Sequence, residues 1–272
     1  MASCRKQDWP GWHLGRPRRV DGGDVVWGDP CLPARCLNRY IARAGVCSRR
    51  KADHLIENGQ VKVNGQKVYE FWHQVDKGDE VRVNGKIISP REFLYVLLNK
   101  PKDTITTTKD ERGRKTVLDL VKIDGGTEGL FPVGRLDRNT TGVLFLTTDG
   151  DFGHRLMHPS FQIPKHYTAR TKDPVRPDQL DQLRRGVILE DGPAAFDRVA
   201  YAQPNNPFEI GIELHEGRNR QIRRMFAALD HKVVALERIS YAGLTTRRLR
   251  RGRWRQLNKK EIRKLHRLIG RQ

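Results

Sequence analysis

The chain has 272 residues, enough for two domains with a hydrophobic core each, and its 52 Lys and Arg against 32 Asp and Glu give a formal net charge of +20. An excess of one sign on that scale repels itself in a compact fold and suits a polyanionic partner, nucleic acid above all. No run approaches the ~18 apolar residues of a bilayer-spanning helix, so no membrane role is expected.

Residues 1–35 are rich in Gly, Pro, Trp and Arg, show no helical or strand period, and lack the apolar core of a secretory signal. Asp8, Asp21, Asp24 and Asp29 argue against a transit peptide, so a disordered extension is expected. The cysteines, Cys4, Cys31, Cys36 and Cys47, contain no C-x-x-C pair. That usage suggests neither a disulfide framework nor a zinc site and suits a reducing cytosol. His154 and His158 share a helical face, but without a third ligand nearby they read as surface or packing residues.

Order is predicted from Leu37. Leu37, Ile41 and Ala44 mark one face of a helix that Gly45 ends, and Ser48 is a suitable N-cap for a second helix carrying Ala52, Leu55 and Ile56. Asn58-Gly59 stops that helix. Val61-Lys62-Val63 alternates as a strand into Asn64-Gly65, the strongest two-residue hairpin signal, and Val81-Arg82-Val83-Asn84-Gly85 repeats the pattern. Residues 37–88 resemble the S4 RNA-binding domain, through Leu37-x-Arg39-Tyr40-Ile41-Ala42-Arg43-Ala44-Gly45, Ser48-Arg49-Arg50-Lys51-Ala52 and Gly59-x-Val61-x-Val63-Asn64-Gly65. Arg39, Arg43, Arg49, Arg50 and Lys51 on two consecutive short helices form a candidate phosphate-contacting surface.

A linker at residues 89–92 leads to a buried strand over 93–100, stopped by Pro101. The organising stretch is residues 131–151. Gly134-Arg135-Leu136-Asp137 runs through Asn139-Thr140-Thr141-Gly142 into Val143-Leu144-Phe145-Leu146, a strand apolar on both faces and so central to a sheet. Asp137 is by itself a good turn residue. An ionised carboxylate ahead of a buried strand, however, needs a cationic partner. Lys165, Tyr167 and Ala169 share a strand face. Pro177 opens a helix on which Leu180, Leu183 and Val187 keep the i, i+3, i+7 spacing, and Phe208, Ile210, Ile212 and Leu214 alternate as a half-buried strand.

Ile222, Met225, Phe226 and Leu229 predict an amphipathic helix opening near Asn219. Arg223 lies about 100° from Ile222, at the edge of the apolar stripe, while Arg220 and Arg224 point away. Asn258-x-x-Glu261 is similar to a capping box ahead of Ile262, Leu265 and Ile269.

Gly134-Arg135-Leu136-Asp137, Lys165-x-Tyr167 and residues 216–225 (Glu-Gly-Arg-Asn-Arg-Gln-Ile-Arg-Arg-Met), in that order behind an S4-like block, resemble the RsuA/RluB family of ribosomal RNA pseudouridine synthases. Residues 186–196 are most similar to its large-subunit branch. The resemblance implies an α+β fold: a small S4-like domain (36–90), then a mixed, mainly antiparallel sheet with flanking helices and a central cleft (91–272). It implies isomerisation of a uridine in ribosomal RNA, by 23S resemblance, without metal or cofactor. The roles implied are Asp137 as the carboxylate at the sugar, Tyr167 stacked on the uracil, and Arg223 keeping Asp137 ionised in a cleft that excludes water, with Leu136 and residues 143–146 as apolar walls. Arg135, Leu136, Lys165, Arg218, Asn219 and Arg220 are the implied RNA contacts. Direct attack at C1′ and proton removal at C2′ both remain open. The expected partner is ribosomal RNA or a pre-ribosomal particle, met by a monomer in the cytoplasm. A 16S or transfer RNA substrate, or a catalytically silent assembly factor, are the alternatives.

Overall fold

A computed structural model describes residues 36–124 and 126–270; the extension expected over residues 1–35 lies outside them. Contacts divide the chain into two compact units that part between Pro90 and Arg91.

In the first unit α1 (Leu37–Arg43) and α2 (Arg49–Glu57) precede β1 (Val61–Val63), β2 (Gln66–Lys67), β3 (Val81–Val83) and β4 (Lys86–Ile88), which form a sheet in the order β2-β1-β3-β4. Ser48 caps α2 by accepting from the Lys51 amide, and Asn38 Nδ2 donates to Asp53 Oδ1 at 2.7 Å, tying the two helices together. Asn64-Gly65 and Asn84-Gly85 all take positive φ, as a tight hairpin turn of the right-handed twist demands. Leu37, Ile41, Ala52 and Ile56 from the helices meet Val61, Val63, Val81 and Val83 in one core. Cys36 is disulfide-bonded, against the sequence expectation, and Cys47 is free.

The second unit runs β5 (Tyr95–Lys100), β6 (Phe131–Val133), β7 (Thr141–Thr147), α3 (Gly150–Met157), β8 (Lys165–Thr171), α4 (Pro177–Arg185), β9 (Val187–Leu189), β10 (Gly192–Ala194), β11 (Arg198–Tyr201), β12 (Glu209–Leu214), α5 (Gln221–Ala227), β13 (Val233–Tyr241), β14 (Leu244–Thr245), β15 (Trp254–Gln256) and α6 (Lys259–Ile269). Its large sheet is ordered β11-β12-β8-β13-β7-β5-β15, with β6 and β14 added to β7 and β13, and only the β13–β7 pairing is parallel. The α+β class and the mainly antiparallel sheet therefore match the reading of the sequence. Every residue of β7 is buried. Leu144 and Leu146 join the core beneath α4 and α5, while Val143 and Phe145 join the core beneath α3 and α6.

Two predicted helices begin or end elsewhere. Val187 does not continue α4: Gly186, at φ 111°, breaks the helix, and Val187 starts the β9–β10 hairpin. α5 opens at Gln221 rather than near Asn219, because Arg220 takes the left-handed conformation at φ 47°. The capping box forms as predicted, Asn258 and Glu261 each accepting from the other's amide.

The two halves of the sheet meet at the parallel pairing of β7 and β13, which spans only Thr141↔Glu237 and Arg238↔Gly142. Arg238, 2% exposed, reinforces the junction by donating from Nε to the Val143 carbonyl at 2.8 Å, with its guanidinium 4.8 Å above the Tyr241 ring. Gly142 sits there at φ 105°, and a Cβ on it would collide with the Arg238 carbonyl oxygen. Gly142→Ala combines that collision with a strained backbone. It should cost at least about 3 kcal/mol of unfolding free energy; a urea midpoint equal to wild type would contradict this account.

Candidate active site

Asp137 begins the turn that feeds β7, its carbonyl accepting from the Thr140 amide at 3.0 Å. The turn reading of this residue therefore holds. What fixes the turn is Lys100, the last residue of β5, which is fully buried. Its ammonium donates to the carbonyls of Pro101 (3.1 Å), Asp137 (3.0 Å), Arg138 (3.1 Å) and Thr140 (2.9 Å). Burial pushes the Lys100 pKa down to about 8, and the nearby Asp137 charge opposes the shift. Thr106 Oγ1 holds the preceding residue through the Leu136 carbonyl, at 2.8 Å. The backbone around Asp137 is thus determined on both sides, leaving its carboxyl to face a cleft.

That cleft is lined by Arg135, Leu136, Asp137, Thr140, Tyr167, Leu214, Gly217, Arg218, Arg220, Gln221, Ile222, Arg223 and Leu236. Asp137, Tyr167 and Arg223, far apart in the chain, are brought together on it. Tyr167 is held in mid-sheet between Ile212 of β12 and Arg238 of β13. The Arg223 guanidinium donates from Nη1 to the Val233 carbonyl at 2.6 Å, and its buried Nε has no partner among the described residues. Burial, then Arg220, lower the Arg223 pKa, with Asp137 acting against them.

The cation closest to the carboxylate is a different one. Arg220 Nη1 lies 3.7 Å from Asp137 Oδ2, so Arg220 does not point away as the helical wheel requires. The wheel fails because Arg220 is not on the helix; its left-handed backbone swings the side chain across the helix entrance. Arg218 lines the cleft but spends its guanidinium on the Pro193 carbonyl (2.7 Å) and on Glu216 (3.2 Å), and Arg224 grips Asp191 through two bonds of 2.8 and 2.9 Å. Asn219 is exposed and off the cleft. Lys165 is turned away too: its ammonium donates to the Ile163 and His215 carbonyls, and burial pushes its pKa down to about 8. In the first unit Arg39 and Arg43 are half-buried on α1, while Arg49, Arg50 and Lys51 are exposed in the first turn of α2.

The apolar walls differ from expectation. Leu136 is one of them, but the others are Leu214, Ile222 and Leu236; residues 143–146 are committed to the two cores. Nor does the protein alone exclude water, since the Asp137 side chain is 34% exposed.

The match to known proteins decides what this cleft belongs to. Residues 94–228 match the family model described as RNA pseudouridylate synthase, and residues 37–81 match the S4 domain. The chain is 42% identical, over 85% of its length and 96% of the relative's, to a protein of Bacillus subtilis named ribosomal large subunit pseudouridine synthase B. This chain belongs to the RNA pseudouridylate synthase family. A protein of Aquifex aeolicus named uncharacterized RNA pseudouridine synthase is 40% identical over 86% of this chain and 94% of its own. A crystal structure of a pseudouridylate synthase superposes with a TM-score of 0.61 at 29% identity, covering 85% of this chain and 99% of that one.

The synthase contains site residues that the sequence reading did not select. Thr140, buried with an Oγ1 that has no partner among the described residues, lines the cleft, and Gln221 fixes its rim by accepting from the Arg218 amide at 3.1 Å and donating to Glu216. Lys100 was concealed as the final residue of an apolar strand, where a lysine before proline carries no signal of its own. Its protonation is the sensitive point. Below about pH 8 it is an ammonium with three N–H bonds for the carbonyls; above, it is an amine with two. Pseudouridine formation should therefore slow as pH rises through about 8. Lys100→Met should be slower by about 10²-fold and lack that step, whereas Lys165→Met should keep it. Persistence of the step in Lys100→Met would refute this role.

Proposed function

We propose that this synthase isomerises one uridine of large-subunit ribosomal RNA to pseudouridine, with Asp137 as the acting carboxylate. The reaction breaks the C1′–N1 bond, turns the uracil and joins C1′ to C5; C5 gives up a proton and N1 gains one, so composition is unchanged and no redox partner is needed. The uridine must first leave the RNA stack to expose its sugar. Asp137 then attacks C1′ or removes the C2′ proton. The Tyr167 ring supports the detached base, and Arg220 and Arg223 offer positive charge on the side of the cleft that faces the carboxylate. The base itself, seated against Leu136, Leu214, Ile222 and Leu236, would close the open side of the cleft. Exclusion of water there prevents hydrolysis of the opened glycosidic bond.

The observation that carries this reading is the convergence of Asp137, Tyr167 and Arg223 on one cleft. Large-subunit RNA is favoured by the Bacillus subtilis relative, whose name specifies that substrate. Residues 36–90 serve as the RNA grip and 91–272 as the catalytic domain, in a cytoplasmic monomer acting on ribosomal RNA or a pre-ribosomal particle.

Asp137→Asn should abolish tritium release from C5-labelled ribosomal RNA while leaving RNA affinity within about twofold. Undiminished release would remove the mechanism. Arg49→Ala with Arg50→Ala should weaken RNA binding and make its salt dependence shallower by about one to two in log–log slope. Equal affinity at low and high salt would rule out phosphate contacts by these residues.

A further inference from the structure

Loop 246–253, between β14 and β15, reads Thr-Arg-Arg-Leu-Arg-Arg-Gly-Arg, five arginines in eight residues. Arg251 pairs with Glu237 at 2.8 Å. Arg247, Arg248, Arg250 and Arg253 are exposed, and none has a carboxylate within ion-pair distance among the described residues. Elsewhere in this unit exposed arginines such as Arg114, Arg176 and Arg184 do have acidic partners. Four cations so close together repel one another, and with no local acid to offset this the loop suits an external polyanion.

The loop is also rigidly held. Asn99 of β5, 7% exposed, commits all its hydrogen-bonding groups to it. Its amide donates to the Arg253 carbonyl (3.0 Å), its carbonyl accepts from the Gly252 amide (2.8 Å), its Nδ2 donates to the Leu249 carbonyl (2.7 Å), and its Oδ1 accepts from Arg251 Nη1 (2.7 Å). Two turns, closed by Leu249 N–H to Thr246 and Arg253 N–H to Arg250, complete the fixed path, and Leu249 packs against the core. Cations on a backbone ordered beforehand lose little entropy on binding. The next residue along β5 is Lys100, which holds the Asp137 turn. Consecutive residues of one strand thus fix the arginine loop and the carboxylate relative to each other.

Arg251 also lines a concavity shared with Lys102, Thr141, Arg170, Leu236, Glu209 and Glu237. Of its two acids Glu237 is paired with Arg251, and Glu209 stands opposite Arg170 in the strand register. Leu236 lines this concavity and the Asp137 cleft alike.

We propose that loop 246–253 is a second RNA-backbone contact, on the catalytic unit itself, which grips phosphates flanking the target uridine and sets that uridine's position over Asp137. The proposal rests on the reading that RNA is the substrate. A membrane surface is disfavoured because the loop's one bulky apolar residue, Leu249, faces inward.

The test measures binding of the full chain to a fluorescently labelled stem-loop RNA across a salt series. Arg248→Gln, Arg250→Gln and Arg253→Gln together should weaken binding about tenfold and make the log–log salt slope shallower by about three. The charge-retaining triple Arg→Lys change should restore most of the slope with the same melting temperature. A control triple on α6, Lys260→Gln, Lys264→Gln and Arg267→Gln, removes equal charge and should change the slope by less than about one. The proposal falls if the loop variant binds as wild type, if both Gln triples behave alike, if affinity drops at constant slope, or if polyglutamate competes as well as RNA. Tritium release from C5-labelled ribosomal RNA is scored separately. A wild-type chain that binds the stem-loop yet releases none would defeat the proposed function and leave the loop result standing.

Discussion

The buried ammonium of Lys100, shared among four backbone carbonyls, is the interaction on which the cleft depends. Taking a lysine out of water is costly unless its donors are all used, and here three N–H bonds are divided among the carbonyls of Pro101, Asp137, Arg138 and Thr140. Those carbonyls converge because the chain turns back on itself before entering β7. Without a cation between them they would be carbonyl dipoles facing one another with nothing to offset their repulsion. The charge that closes the turn therefore also determines where the Asp137 side chain leaves it.

The remainder of the cleft follows from the way the sheet is joined. Its halves meet through a two-residue parallel pairing, at which only glycine is tolerated opposite Arg238. Beyond that short contact the strands separate, and the Asp137 turn and the entrance of α5 face each other across the gap, with Tyr167 presented from the sheet. The left-handed conformation of Arg220 carries strain of roughly 1–2 kcal/mol. It is retained at the point where a guanidinium is directed to the carboxylate, which is where strain serves a site.

A net charge of +20 identifies the class of partner but not the surface that meets it. Many of the arginines are structural: Arg238 secures the sheet junction, Arg218 the β9–β10 hairpin, and Arg224 pairs with Asp191. Once these are set aside, the arginine loop is one group of exposed cations with no carboxylate at ion-pair distance among the described residues. Counting charges along a sequence cannot separate the two kinds, because each looks the same until its neighbours in space are known.

Local pattern alone was sufficient for the S4-like helices and hairpins, the doubly apolar β7, the alternating β12 and the capped α6, since each depends on residues within a few positions of one another. The order of the motifs around Asp137, Tyr167 and Arg223 pointed to one cleft. Tertiary structure decided the rest. It placed Arg220 rather than Arg223 nearest the carboxylate, because one residue's left-handed backbone overrides a helical wheel. It withdrew Lys165 to backbone carbonyls and gave the cleft walls to Leu214, Ile222 and Leu236. It also revealed Lys100, whose partners are up to forty residues away in the chain. Such roles come from which carbonyls and carboxylates a cation meets after folding, and no spacing along the chain encodes that.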